Sequence, residues 1–278
     1  MSTKYKKNIP FHNFGGQGEM LHFAHANGFN PGAYRQLLLP LKEYFHVIAI
    51  QHRPFWQQEP TNADDWQQIA DDLINFLDQQ GAKNIVGVGH SLGAVATMLA
   101  AIKRPDLFKN IILIEPVFMP AVIVKIFQII PVKWRYLFNP LIKLTLNRRD
   151  VWDSKQEVFE AYRQKKVFAD LSDEVLWDYL NFGLKERADG KVTLAFSKEW
   201  EAHFFSRLPP IWENLRRLQT PTFGLRGEYS NTLFLPQWKK WQNLRPEHQF
   251  LEVKNTGHLL PLEKPALVAE KILTYLQV

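Results

Sequence analysis

Short β-branched runs alternate with amphipathic helical stripes along the first 116 residues, and this rhythm limits the architecture more than any other feature. MLHFAHA from Met20, FHVIAI from Phe45 to Ile50, IVGVG from Ile85 and IILIE from Ile111 to Glu115 read as strands. They are almost continuously apolar, as expected of strands covered on both faces. Between the second and third, Trp66, Ile69, Ala70, Leu73, Phe76 and Leu77 fall on one stripe at spacings of three and four, with Asp64-Asp65 at its start and Gly81 at its stop. A small-residue helix follows from Leu92 and is closed by Pro105. Parallel strands need long crossovers, so strand–helix alternation predicts a mostly parallel central sheet with helices on both faces.

The pattern returns near the carboxyl end. Thr222–Leu225 and Gln249–Val253 read as strands, and a last helix starts near Pro265 with Leu267, Val268, Ile272, Leu273 and Leu276 on it. From Val117 to Gln219 no strand run stands out, whereas helical spacing does, as at Val175, Leu176, Tyr179 and Leu180. The expected organisation is an α/β core of residues 1–116 and 220–278 with a helical cap, 117–219, inserted between two strands. Pro209-Pro210 and Thr220-Pro221 punctuate the exit from the insertion.

Composition narrows the function classes. The chain has 278 residues, 46% of them hydrophobic, enough for a large core. It has no cysteine, which excludes disulfides, thiolate metal sites and a cysteine nucleophile, and suits a reducing, cytoplasmic setting. The net charge of +6 is spread over small pairs, Lys6-Lys7, Arg148-Arg149, Lys165-Lys166 and Arg216-Arg217. These read as solvated faces, and no nucleic-acid partner is expected. The start, MSTKYKKNIP, lacks the apolar core of a secretory signal. The most apolar stretch, Ile111 to Pro131, contains Glu115, Lys125 and two internal prolines. A spanning helix would bury those charges, so no stable membrane insertion is expected and the stretch reads as strand, turn and apolar helix. Metal ligands and cofactor loops are not expected: there is no His-x-x-x-His pair, and Gly15-Gly16-Gln17-Gly18 lacks the lysine and strand–helix setting of a phosphate loop.

Gly89-His90-Ser91-Leu92-Gly93 carries the chemistry. It is a G-x-S-x-G match where a strand gives way to a helix. A serine on so sharp a turn is held in a strained backbone with its side chain at the top of the sheet. The helix behind it aims its amino end, and the Leu92 N–H, at an anion forming beside Ser91. A serine hydroxyl needs a base. Of nine histidines, His258 lies in the loop Asn255-Thr256-Gly257-His258, directly after the last predicted strand and at the same edge of the sheet. His90, next to the serine, reads as packing.

These pieces resemble the α/β-hydrolase superfamily, in its cap-bearing esterase, lipase and epoxide-hydrolase-like branch. The matching segments are HANGFN from His25, GHSLGA from Gly89, LIEP from Leu113, LRGEYSN from Leu225 and TGHLLPLEKP from Thr256. The resemblance implies that HANGFN forms the other wall of an oxyanion hole, with the Phe29 N–H joining that of Leu92. It also implies an acidic third member in a Gly-x-x-Asp pattern, and here the chain departs: Gly227-Glu228-Tyr229-Ser230 puts serine in that place. Glu115, ending the strand after the elbow, is the first choice for the acid, since some relatives carry it there. Glu228 is the alternative, and a Ser–His pair supported by Asn231 or backbone is the third. Relatives also carry a glycine-rich loop where this chain has Gln51-His52-Arg53-Pro54-Phe55-Trp56, which implies a bulkier, more aromatic loop near the pocket.

The expected activity is a carboxylic-ester hydrolase working through an acyl-enzyme on Ser91, with a small to medium apolar ester as substrate. Val122, Ile123, Val124, Ile126, Phe127, Ile129 and Ile130 would line an acyl pocket or pack the cap on the core. Thioester, lactone or carbon–carbon hydrolysis would use the same parts. Serine at position 91 disfavours the haloalkane and epoxide chemistries, whose branches carry aspartate there. The alternatives are a non-catalytic ligand-binding protein on this fold, which the serine at 230 keeps open, and an interaction protein using the aromatic cap surface.

Overall fold

A computed structural model describes residues 8–56 and 59–278; the Lys6-Lys7 pair and most of the amino-terminal stretch lie outside them. The chain opens with β1 (Phe11–Gly15), β2 (Met20–Ala24), α1 (Arg35–Leu41), β3 (His46–Ile50), α2 (Trp66–Gln79), β4 (Ile85–His90), α3 (Leu92–Lys103) and β5 (Phe108–Ile114). Next come α4 (Ala121–Ile129), α5 (Val132–Phe138), α6 (Pro140–Leu146), β6 (Val151–Trp152), α7 (Lys155–Arg163), α8 (Asp173–Gly183), β7 (Leu184–Glu186), β8 (Val192–Leu194), α9 (Lys198–Phe205) and α10 (Ile211–Arg217). The chain closes with β9 (Thr222–Gly227), α11 (Leu235–Leu244), β10 (Gln249–Val253), α12 (Leu260–Glu263) and α13 (Pro265–Leu276).

Seven strands form the main sheet in the order β1-β3-β2-β4-β5-β9-β10. Every pairing is parallel except β1 with β3. Successive strand residues face opposite ways, and the core divides accordingly. Val47, Ala49, Val86, Val88, Ile112 and Ile114 meet Leu37, Leu38 and Leu41 of α1 and Val268, Ala269 and Ile272 of α13. Ile48, Ile50, Ile85, Ile111 and Leu113 meet α2, α3 and the tryptophans Trp238 and Trp241 of α11 on the other face. The expected α/β class, with helices on both faces, is therefore what forms.

Local signals account for the central helices. Asp65 caps α2, its side chain accepting from the Gln68 N–H at 3.0 Å, and Gly81 takes a left-handed φ of 65° just past the helix. Helix α3 lies so close to β2 that a Cβ on Gly93 would sit 2.1 Å from the Ala24 carbonyl oxygen, so that crossing requires glycine.

The segment 117–219 differs from expectation. It contains a three-stranded antiparallel sheet in the order β6-β8-β7, whose two- and three-residue strands are too short to show a period. Its last helix, α10, buries Ile211, Trp212 and Leu215 in the same cluster as α3. Trp152, Tyr162, Phe168, Val175, Leu176, Tyr179 and Leu180, from its middle, share a cluster with Leu21 and Phe23 of β2. The apolar stretch after β5 behaves otherwise. Of the seven residues expected to line a pocket or pack the cap, only Val124 is buried, and Val122, Ile126, Ile129 and Ile130 are exposed. No helix among the described residues is long and apolar enough to cross a membrane.

Candidate active site

Ser91 sits between the last residue of β4 and the first of α3, with φ 55° and ψ −113°. Five non-glycine residues have positive φ among those described: Asn84, Ser91, Glu115, Asn255 and Gln277. Asparagine tolerates that region and Gln277 ends a helix, so Ser91 and Glu115 are the two without such an excuse. Each costs about 1–3 kcal/mol, which neighbouring structure must offset. Both stand at the carboxyl ends of adjacent parallel strands, and the Ser91 N–H is held there by the Ile114 carbonyl at 3.0 Å.

His258 arrives from the loop between β10 and α12 and joins them. Its Nε2 lies 3.0 Å from Ser91 Oγ, and its Nδ1 lies 3.0 Å from Glu115 Oε2. With Nδ1–H donating to the carboxylate, Nε2 is left as acceptor for the serine hydroxyl proton. Ser91 is 7% exposed and Glu115 is fully buried, while the His258 side chain keeps 21% of its surface open.

The Glu115 carboxylate is saturated with donors. The Gly227 N–H donates to Oε1 at 2.6 Å, and the Ser230 hydroxyl donates to Oε2 at 2.5 Å, beside the His258 Nδ1–H. Ser230 in turn accepts from the Leu233 N–H at 2.9 Å. Ser230, at the place where the resemblance implies an aspartate, therefore supports a carboxylate supplied by the neighbouring strand. The other candidate acid, Glu228, accepts from the Asn255 N–H at 3.0 Å and braces that loop without meeting His258. Asn231 is exposed, its side-chain oxygen accepting from the Thr232 hydroxyl at 3.3 Å.

The two amides expected to face an oxyanion are not equivalent. Leu92 is the first residue of α3, so its N–H has no intrahelical acceptor. The Phe29 N–H donates to the Ala26 carbonyl at 3.2 Å across a turn in which Gly28 has φ 76°. An oxyanion at Phe29 would have to compete with that bond.

Sequence reasoning missed three sets of neighbours. His90 does not merely pack: its Nε2–H donates to the His258 carbonyl at 2.8 Å. Its Nδ1 then accepts from the Tyr34 hydroxyl at 2.8 Å, whose oxygen accepts from the Ala26 N–H at 3.2 Å. This chain ties the HANGFN turn to the backbone of His258. Burial with no countercharge pushes the His90 pKa well below the usual histidine value, so the ring is neutral, as the donor count requires. His25 works similarly: Nδ1–H donates to its neighbour's carbonyl, the Ala26 oxygen, at 2.8 Å, and Nε2 accepts from the His52 N–H at 3.0 Å. Burial holds its pKa down to about 3. At the segment 117–219, the Tyr179 hydroxyl donates to the Gly28 carbonyl at 3.4 Å, Asn27 Nδ2 donates to the Glu201 carbonyl at 3.1 Å, and Arg148 pairs with the Glu201 carboxylate at 2.7 Å. A single tyrosine, histidine or arginine carries no sequence pattern that announces such contacts. The unusual loop after β3 is occupied structurally: Arg53 pairs with Asp72 and Asp64, and Phe55 lies edge-on to His25.

A parallel sheet with one antiparallel edge, a strained serine between β4 and α3, and a histidine after the last strand define the alpha/beta hydrolase fold. The model of the alpha/beta hydrolase family matches residues 23–271. The chain belongs to that family. It is 24% identical over 247 residues to the uncharacterized hydrolase YugF of Bacillus subtilis strain 168, covering 88% of this chain and 85% of that one. It is 22% identical over 265 residues to a 2-(acetamidomethylene)succinate hydrolase of Mesorhizobium japonicum, covering 94% and 89%. Among solved structures, an E-2-(acetamidomethylene)succinate hydrolase superposes with a TM-score of 0.79 at 18% identity, covering 97% of this chain and 95% of that one.

Proposed function

We propose that this protein is a serine hydrolase that cleaves a carboxylic ester with a small to medium apolar acyl group. The observation that carries the reading is the line Ser91 Oγ, His258, Glu115, with both links at 3.0 Å. In the first half-reaction the Ser91 oxygen attacks the ester carbonyl carbon while His258 Nε2 takes its proton. The carbonyl oxygen becomes an oxyanion beside the Leu92 N–H at the positive end of α3. The imidazolium so formed is stabilised by Glu115, and its Nε2 proton passes to the departing alkoxide. Water then adds to the acyl-serine, giving its proton to His258, and the acid leaves as Ser91 Oγ is reprotonated. His90 and Tyr34 keep the His258 backbone in place and exchange no proton with substrate.

The same steps cleave a thioester, a lactone or an amide-like bond, and relatives bear the names hydrolase, esterase and thioesterase. A purely ligand-binding role loses its motive, since Glu115 supplies the charge that Ser230 lacks.

The test is a series of p-nitrophenyl esters, from acetate to decanoate, with Ser91→Ala as control. The expected result is turnover with an acyl-enzyme burst that vanishes in the alanine variant, and a fluorophosphonate adduct on Ser91. Absence of both burst and adduct across the series would overturn the proposal.

A further inference from the structure

The surface of α4–α6 inverts the usual pattern of a water-facing helix. On α4, Val122, Ile126 and Ile129 stand at spacings of four and three, and are 63%, 48% and 82% exposed. On α5, Trp134, Leu137 and Phe138 make a second exposed stripe, the two rings stacked 5.5 Å apart. On α6, Leu141 and Leu144 face outward while Ile142 and Thr145 turn inward. Exposed large apolar side chains gathered on three successive helices mark a surface that something covers.

Charge says what that something is. From Pro116 to Arg149 there is no aspartate or glutamate, while Lys125, Lys133, Arg135, Lys143, Arg148 and Arg149 are all present. Arg148 is paired with Glu201, and Arg149 with Glu157. Arg135 donates to the carbonyls of Ile130 and Ser206. Lys125, Lys133 and Lys143 are exposed, and among the described residues no carboxylate stands within ion-pair distance of them. Exposed lysines among Trp, Phe, Leu and Ile on short helices are the composition of a segment lying in a lipid headgroup layer.

We infer that α4–α6 dock this protein on an anionic lipid surface, with the apolar stripes in the acyl boundary and the three lysines on headgroup phosphates. The docking is peripheral and independent of the chemistry at Ser91. A second copy is the poorer occupant, because an isologous contact sets a patch against itself and would oppose these lysines to their own equivalents without a countercharge.

The experiment is co-sedimentation of the full chain with phosphatidylcholine vesicles, with and without about 30 mol % phosphatidylglycerol, at about 50 and about 500 mM NaCl. The expected result is binding to the anionic vesicles, at least about tenfold weaker without the anionic lipid and weakened by salt. Each of Lys125→Gln, Lys133→Gln and Lys143→Gln lowers partitioning about fivefold. Phe138→Asp with Leu144→Asp abolishes it, leaving the circular dichroism spectrum and the turnover of a soluble short-chain ester as in the parent. Ser91→Ala still binds, which separates this result from the hydrolase reading. Failure to bind anionic vesicles, or unchanged binding by the double variant, overturns the inference. So does a dimer in sedimentation velocity that the double variant dissociates.

Discussion

Replacing Glu115 by glutamine keeps the shape of the side chain and removes only the charge and one acceptor. In the parent protein the carboxylate receives the Gly227 N–H, the Ser230 hydroxyl and the His258 Nδ1–H, and donates nothing. Glutamine has two ways to sit, both wrong. With its oxygen toward Ser230 and His258, its amide group confronts the Gly227 N–H. With its oxygen toward Gly227, its amide donates to His258 Nδ1 and forces the proton onto Nε2, where it faces Ser91 and blocks attack. Losing the correct tautomer lowers kcat by about 10³–10⁴, which is about 4–5.5 kcal/mol of barrier. Steady-state kcat/KM on a p-nitrophenyl ester, with thermal melting to verify the fold, reads this directly. Glu228→Gln, which disturbs only the Asn255 N–H, serves as the control and stays within about threefold of the parent. Adding Ser230→Asp to Glu115→Gln returns a carboxylate next to the vacated place and recovers at least about tenfold in rate. A Glu115→Gln enzyme within tenfold of the parent, or an equal loss in Glu228→Gln, would refute this assignment of the acid.

Three further outcomes follow from the same structure. His22 and His25 are buried, with pKa values held down to about 3 against an ordinary 6.5, so the unfolded chain takes up their protons first. Their contribution is complete above pH 6.5 and is lost as pH falls from there toward 3, by about 2 kcal/mol each at pH 5; urea unfolding between pH 8 and pH 5 measures it, and a flat profile would contradict it. Tyr34→Phe strands the Ala26 N–H and His90 Nδ1, lowering stability by about 2–4 kcal/mol; chemical denaturation with no change would show the chain to be slack. Gly93→Ala drives a methyl group into the Ala24 carbonyl, so soluble expression collapses or the melting temperature falls by at least about 5 °C.

What the sequence discloses here is what local rules encode. The elbow announces itself because glycine, serine and glycine stand at fixed offsets between a strand run and a helix run. His258 is found because its loop follows the last apolar run, although 167 positions separate it from Ser91. Glu115 is the first of three choices through the resemblance, which places the acid of some relatives at that strand end, and the hydrogen bond from Ser230 to its carboxylate bears on a departure that the chain alone leaves open. The misses also have causes. β1 is a half-exposed edge strand, FHNFG, without an apolar run, and α1 carries Pro40 inside it, which reads as a break. On α4 the run of apolar residues reads as a buried lining, yet only Val124 is buried, because an all-round apolar helix carries no period to say which side, if any, meets the core. The Tyr34–His90 link depends on a single side chain from each of two distant elements, a relation no spacing rule contains.

The inserted segment is unevenly moored. A Cβ on Gly32 would fall 2.1 Å from the ring of Phe182, so α8 is keyed into the turn that carries Tyr34, and Tyr179 adds a hydroxyl bond to Gly28. Helix α5, in contrast, buries no residue. Local opening costs least where buried contacts are fewest, so amide hydrogen exchange is expected to be faster in 121–146 than in 173–183, and equal rates would contradict this. The inserted segment is therefore expected to loosen first along 121–146, the stretch that carries the exposed apolar side chains and the unpaired lysines.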